Sequence, residues 1–227
     1  MFGYAHNWKR TTQPLAAAAL LVLISLPAAH TNAAPVRTGS LLPHRAAIHL
    51  PESGNCPALP GGTGALPDGD FSQAIDPGDN NLTVSKGTAF APDWIVAQGN
   101  VDFNGSTYWD IGGYCSIDLD GLNVVGAIAT NPFQTFRGRT YTVSFLLSGN
   151  GGAPPTVKTM TLIANKHFTQ FTWDTSNNND VEHGARQWES WSFRSGGGPV
   201  DLEFLSTDPP GSGRGMVVAA ISVVRTR

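Results

Sequence analysis

The chain has 227 residues, a formal net charge of −3, only 14% charged residues, 26 glycines and 16 prolines. This balance excludes a nucleic-acid binder of the basic-patch kind, which needs a cationic face. Low charge with abundant turn residues fits an all-β domain better than a charged helical one.

At the N-terminus, Lys9 and Arg10 precede an apolar run, Leu15 to Ala29, with small residues at Ala28, Ala29, Ala33 and Ala34. That is the layout of a secretory signal. A membrane-spanning helix needs about 20 apolar residues, and this run is shorter. Residues 1–33 are therefore expected to be removed, with the cut after Ala33. Their loss takes away Lys9 and Arg10 and no acidic residue, so the mature charge is −5. The expected product is secreted or held at the cell surface, without a membrane span, and is a monomer. In an exported chain the two cysteines, Cys56 and Cys115, read as one disulfide. Closing a loop of that length stabilises by at most about 4 kcal/mol. Residues 34–65 hold Pro35, Pro43, Pro51, Pro57 and Pro60 without any sustained period, and read as an extended lead-in.

From Leu66 onward the texture changes. Short runs alternate apolar and polar residues: DWIVAQ (93–98), YCSIDL (114–119), VGAIA (125–129), YTVSFLLS (141–148), VKTMTLIA (157–164), HFTQFTW (167–173), WESWSFRS (188–195), VDLEFLS (200–206) and VVAAISVV (217–224). Period-two alternation with turn residues between runs predicts an all-β sandwich or barrel. The longer breaks, 148–156, 174–186 and 207–215, are predicted to be loops at the sandwich rim, where such folds carry binding residues.

The order of motifs resembles the choice-of-anchor C family, exported domains related to a plant cell-wall class of unknown function. The carrying residues are PDGDF (67–71), DWIVAQGNVDF (93–103), SIDLDG (116–121), YTVSFLLSGN (141–150), VKTMTL (157–162) and WESWSF (188–193), closed by AAISVV (219–224). The resemblance spans residues 66–226 and implies a jelly-roll β-sandwich of the galactose-binding-like type. It also implies a link to extracellular polysaccharide. One departure stands out: where the family has Asp-Asn before the last strand, this chain has Ala219 and Ala220, so no metal ligand carries over there.

Sugar recognition pairs flat aromatic faces with planar polar groups. Tyr108, Trp109 and Asp110, and then Trp173, Asp174 and Asn177, join those features in loops, and are the candidate ligand-binding residues. Trp94, Trp191 and Phe193 sit in alternating strands and read as core. Asp68, Asp70 and Asp76 crowd into one acidic loop and are the candidate ligands for a structural calcium ion, the only cofactor considered. A solvated acidic loop is the alternative there. No nucleophile elbow is present. No zinc motif is present either, and the histidines outside the first fifty residues are the isolated His167 and His183. A pair of loose carboxylates could still hydrolyse glycosides, Asp174, Glu182 and Glu189 being the nearest. The expected function is a secreted, non-catalytic module binding extracellular or cell-wall carbohydrate. The alternatives are an adhesive surface protein with a protein partner and a weak glycan hydrolase.

Overall fold

A computed structural model describes residues 54–109 and 111–226. The expected signal peptide and most of the lead-in lie outside the described residues. The strands in chain order are β1 (Asn81–Ser85), β2 (Ala89–Ala91), β3 (Trp94–Gln98), β4 (Asn100–Asn104), β5 (Ser116–Asp118), β6 (Asp120–Gly121), β7 (Val124–Val125) and β8 (Ala127–Thr130). They continue with β9 (Phe133–Thr135), β10 (Thr140–Gly149), β11 (Val157–Ala164), β12 (His167–Asp174), β13 (Gln187–Arg194), β14 (Gly198–Val200), β15 (Leu202–Ser206) and β16 (Met216–Arg225).

Two six-stranded antiparallel sheets result. The first has the order β1-β4-β5-β16-β10-β13 and the second β12-β11-β15-β8-β3-β2. Alternation decides which side chains face inward. On β10, Tyr141, Val143, Phe145 and Leu147 are buried while Thr142 and Ser144 are only half-buried. On β11, Met160, Leu162 and Ala164 are buried and oppose them from the other sheet. Rings lock the middle of the sandwich: Phe145 meets Phe204 edge-on at 5.3 Å and Phe171 at 5.2 Å, and Phe71 meets Trp94 at 5.4 Å. Such pairs add roughly 0.5–1.5 kcal/mol each beyond their buried area.

β16 changes parity in mid-strand. Its register against β10 shifts between Ser144 and Leu146, and Ala220 takes φ 50°. An inserted residue of this kind is a β-bulge. It lets Met216 and Val218 point inward at one end, and Ile221 and Val223 at the other, while Val217, Ala219 and Ala220 join Leu146, Ile111 and Val181 in a second, smaller apolar cluster. That cluster sits on the outward side of the first sheet, beneath the 105–115 and 174–186 loops. Small residues at 219 and 220 are what leave room for those loops to pack down.

The end of the lead-in belongs to the sandwich. Cys56 is bonded to Cys115, Asn55 bridges Ile75, and Gly64 bridges Val223 in parallel. A side chain at Gly64 would run into the Val223 carbonyl, so glycine is required for that approach. Among the described residues no helix is long and apolar enough to cross a membrane.

Candidate functional site

The acidic opening loop supplies hydrogen-bond acceptors to the chain around it. Asp76 Oδ1 accepts from the N–H of Gly78 (2.8 Å) and of Ser106 (3.0 Å), and its Oδ2 from the Ser106 hydroxyl. Asp70 accepts from the N–H of Leu59 (2.6 Å) and Ser72 (3.1 Å). Asp68 accepts from the Gln73 N–H (2.9 Å) and the Ser72 hydroxyl (3.2 Å), and burial raises its carboxyl above the ordinary value. Among the described residues, the one gathering of three ligand-type side chains is Cys56, Asp76 and Cys115, and those cysteines are bonded to each other. Asp68 and Asp70 thus share Ser72 in one turn, while Asp76 is engaged by Gly78 and Ser106.

Those turns brace the loop that carries the first aromatic candidates. Gly105 donates to the Asn80 carbonyl (3.0 Å) and lies so close to the Gly78 backbone that a Cβ there has no room. Asp79 accepts from the Thr107 hydroxyl, and the disulfide holds the far end at Cys115. Between these anchors Tyr108 and Trp109 place their ring centroids 4.8 Å apart. Tyr108 is 36% exposed; Trp109 is half-buried and rests on the outer apolar cluster. Asp110 lies outside the described residues.

The second group of candidates separates. Trp173 is buried in the main core, and its indole N–H donates to the Asn179 carbonyl (2.7 Å). Asp174 and Asn177 are exposed; Asp174 accepts from the Ser176 N–H (2.9 Å), and Asn177 sits at φ 56° in a short 3-10 turn. What this loop does bring to the outward face of the first sheet is Val181, which packs in the same cluster as Ile111. Of the loose carboxylates, Glu182 is paired with Arg214 at 2.6 Å and Glu189 is contacted by Gln187.

A residue that sequence reading passed over stands out on β13. Trp188 is 55% exposed and lies opposite Leu146 in the β10–β13 ladder, at the margin of the cluster on which Trp109 rests. Beside it the outward face of the first sheet is floored by hydroxyls: Thr142, Ser144, Ser190, Ser192 and Ser222 occupy neighbouring register positions, with Thr142 and Ser192 hydroxyls 2.8 Å apart. The signal was in the alternation of QWESWSFR. If Trp191 and Phe193 point inward, Trp188 must point out.

The predicted rim loops do meet, over a buried polar cluster. Arg214 reaches Glu182 and Asn150, and Thr175 donates to the Thr156 carbonyl at 2.8 Å. Below them Asp118 is almost fully buried. Its Oδ1 accepts from the N–H of Asp120 (3.0 Å) and Gly215 (2.9 Å), and its Oδ2 from Asn150 (2.8 Å). Burial nevertheless pushes its carboxyl up to about 7. Burial also raises Asp120, to about 6, and Asp208. Lys158, fully buried, donates to the carbonyls of Ala153 and Arg214, and burial lowers its ammonium pKa against the pull of Asp208 and Asp118. Charge buried in this way is tolerated only when paired and hydrogen-bonded.

The model of one family, DUF642, described as a protein of unknown function, matches residues 64–213. No curated protein matches the sequence. Among solved structures, one described as "CBM4 structure and function" is 14% identical over 71% of this chain and 99% of that one, with a TM-score of 0.39. The C-terminal CBM6 of LamC, a marine laminarinase from Zobellia galactanivorans, is 9% identical over 64% of this chain and all of that one, at a TM-score of 0.35. An exo-β-1,3-galactanase from Phanerochaete chrysosporium is 14% identical at a TM-score of 0.33; the match covers 64% of this chain and 26% of the galactanase.

Proposed function

Since the chain belongs to the DUF642 family, whose function is unknown, we propose that it is an exported, non-catalytic module that binds extracellular carbohydrate. Within that family we place it in the choice-of-anchor C group, with a jelly roll of the galactose-binding-like type. The carrying observation is the outward face of the first sheet. Trp188 stands exposed beside a floor of serine and threonine hydroxyls, and Trp109, its ring paired with that of Tyr108, rests on the adjoining apolar cluster. Rings supply flat surface for the C–H side of a pyranose, and hydroxyls exchange hydrogen bonds with the sugar's own. Rigid rings cost little conformational entropy on binding, so a braced loop favours affinity.

A glycan array probed with the purified protein tests this reading. Retention on a group of related polysaccharides is expected. A folded protein silent across plant, fungal and bacterial glycans would turn the reading toward a protein partner at the same face.

A further inference from the structure

Beneath the rim, two buried carboxyl groups lie against each other. Asp120 is completely buried, Asp208 is 5% exposed, and the two carboxyl groups interact directly. No donor stands in good hydrogen-bond geometry to either oxygen of Asp120 or to Oδ2 of Asp208, although the hydroxyls of Ser206 and Ser212 and the Asp208 carboxyl are neighbours of Asp120. The remaining oxygen of Asp208 accepts from the N–H (2.7 Å) and hydroxyl (3.0 Å) of Thr159. Ser206 and Ser212 lie next to Asp120, and the Gly215 backbone passes so close that a Cβ there would strike the Asp120 carboxyl.

The charge count in this cluster does not close on its own. Asp118 has both oxygens taken up by N–H donors, and the single buried ammonium, Lys158, which acts on Asp208, Asp118 and Asp120 alike, offsets one of their three negative charges. With all three ionised, two negative charges are left over in a region of low dielectric, an arrangement that costs several kcal/mol unless more positive charge stands among them. A divalent cation restores neutrality. The donors on offer are all oxygen, which suits calcium and does not suit zinc. We propose that Asp120 and Asp208, with the hydroxyls of Ser206 and Ser212, hold a calcium ion that ties the 207–215 loop to the body of the sandwich. This place differs from the opening acidic loop, where Asp70 and Asp76 have both oxygens taken up by N–H or hydroxyl donors and only Asp68 Oδ2 is left without a partner. The ion would fix the loop carrying Arg214, and through Arg214 the Glu182 turn at the edge of the outward face.

Thermal unfolding of the purified protein after EDTA treatment, with CaCl2 or MgCl2 added back, provides the test. Saturating calcium is expected to raise the Tm by about 5 °C, and magnesium by less, because it demands a tighter octahedral shell. Asp120→Asn and Asp208→Asn should each unfold in EDTA at or above the wild-type temperature, since the like-charge contact is gone, and should show no calcium shift. A wild-type Tm indifferent to calcium would overturn the proposal and leave a shared proton as what holds the pair. So would a calcium shift that survives in both asparagine variants, which would put the ion elsewhere.

Discussion

At the scale of single residues, the carboxylates of the opening loop act through geometry. Asp76 accepts the N–H of Gly78 beside it and, across a sequence separation of 30 residues, the N–H and hydroxyl of Ser106, and so sets where the Tyr108–Trp109 turn begins. Asp76→Ala leaves three half-buried donors unmatched. Each costs about 1–3 kcal/mol, so a loss of roughly 3 kcal/mol is expected in urea unfolding. Asp68 carries a different signature. Burial raises its carboxyl pKa in the folded state above the unfolded value. The native state therefore holds the proton more tightly, and Asp68's contribution is fully present near and below the ordinary carboxylate pKa and is lost as pH rises through the raised one. Urea midpoints for wild type and Asp68→Asn measured across this range should diverge in favour of the variant as pH rises. Parallel pH profiles would remove Asp68 from the account.

At the scale of elements, what could be read from the sequence depended on how pure the alternation was. VKTMTLIA over 157–164 is β11 residue for residue, because its apolar and polar positions alternate and the neighbouring turns are explicit. β1 and β4 were not read as separate strands. NLTVS and NVDFN have only two apolar residues each, and their outward positions are filled by polar side chains such as Thr83, which donates to Asp102 at 2.6 Å. The polar cluster was invisible for another reason. Asp118 and Gly215 meet across 97 residues, and Asp118 sits at an outward register position that becomes buried only when two rim loops fold back over it. Trp173 shows the same limit from the other side. It stands at the end of a strand beside a polar loop, and only the closing of that loop onto the indole N–H makes it core. The disulfide is the element-scale device that was legible, since export and an even cysteine count both point to it. Replacing Cys56 and Cys115 together by serine should lower stability by up to about 4 kcal/mol, read as a fall in the thermal midpoint by circular dichroism. Because the bond anchors the 105–115 loop, the change should also loosen the Tyr108–Trp109 turn, seen as increased amide exchange there.

At the scale of the whole molecule, the two sheets form a scaffold whose outward face on one side is half covered and half open. The covered half is the apolar cluster under Ile111, Val181 and Leu146; the open half is the hydroxyl floor beside Trp188. On the reading proposed above, a mildly acidic protein with such a face suits a neutral glycan better than a polyanion. The measurement that tests this most directly is affinity electrophoresis of the wild type, Trp188→Ala and Tyr108→Ala through gels containing each polysaccharide retained on the array. The wild type should be retarded, and Trp188→Ala should bind about tenfold or more weakly with its far-ultraviolet circular dichroism unchanged and Tyr108→Ala intermediate. Retardation of both variants equal to that of the wild type would contradict the assignment of this face.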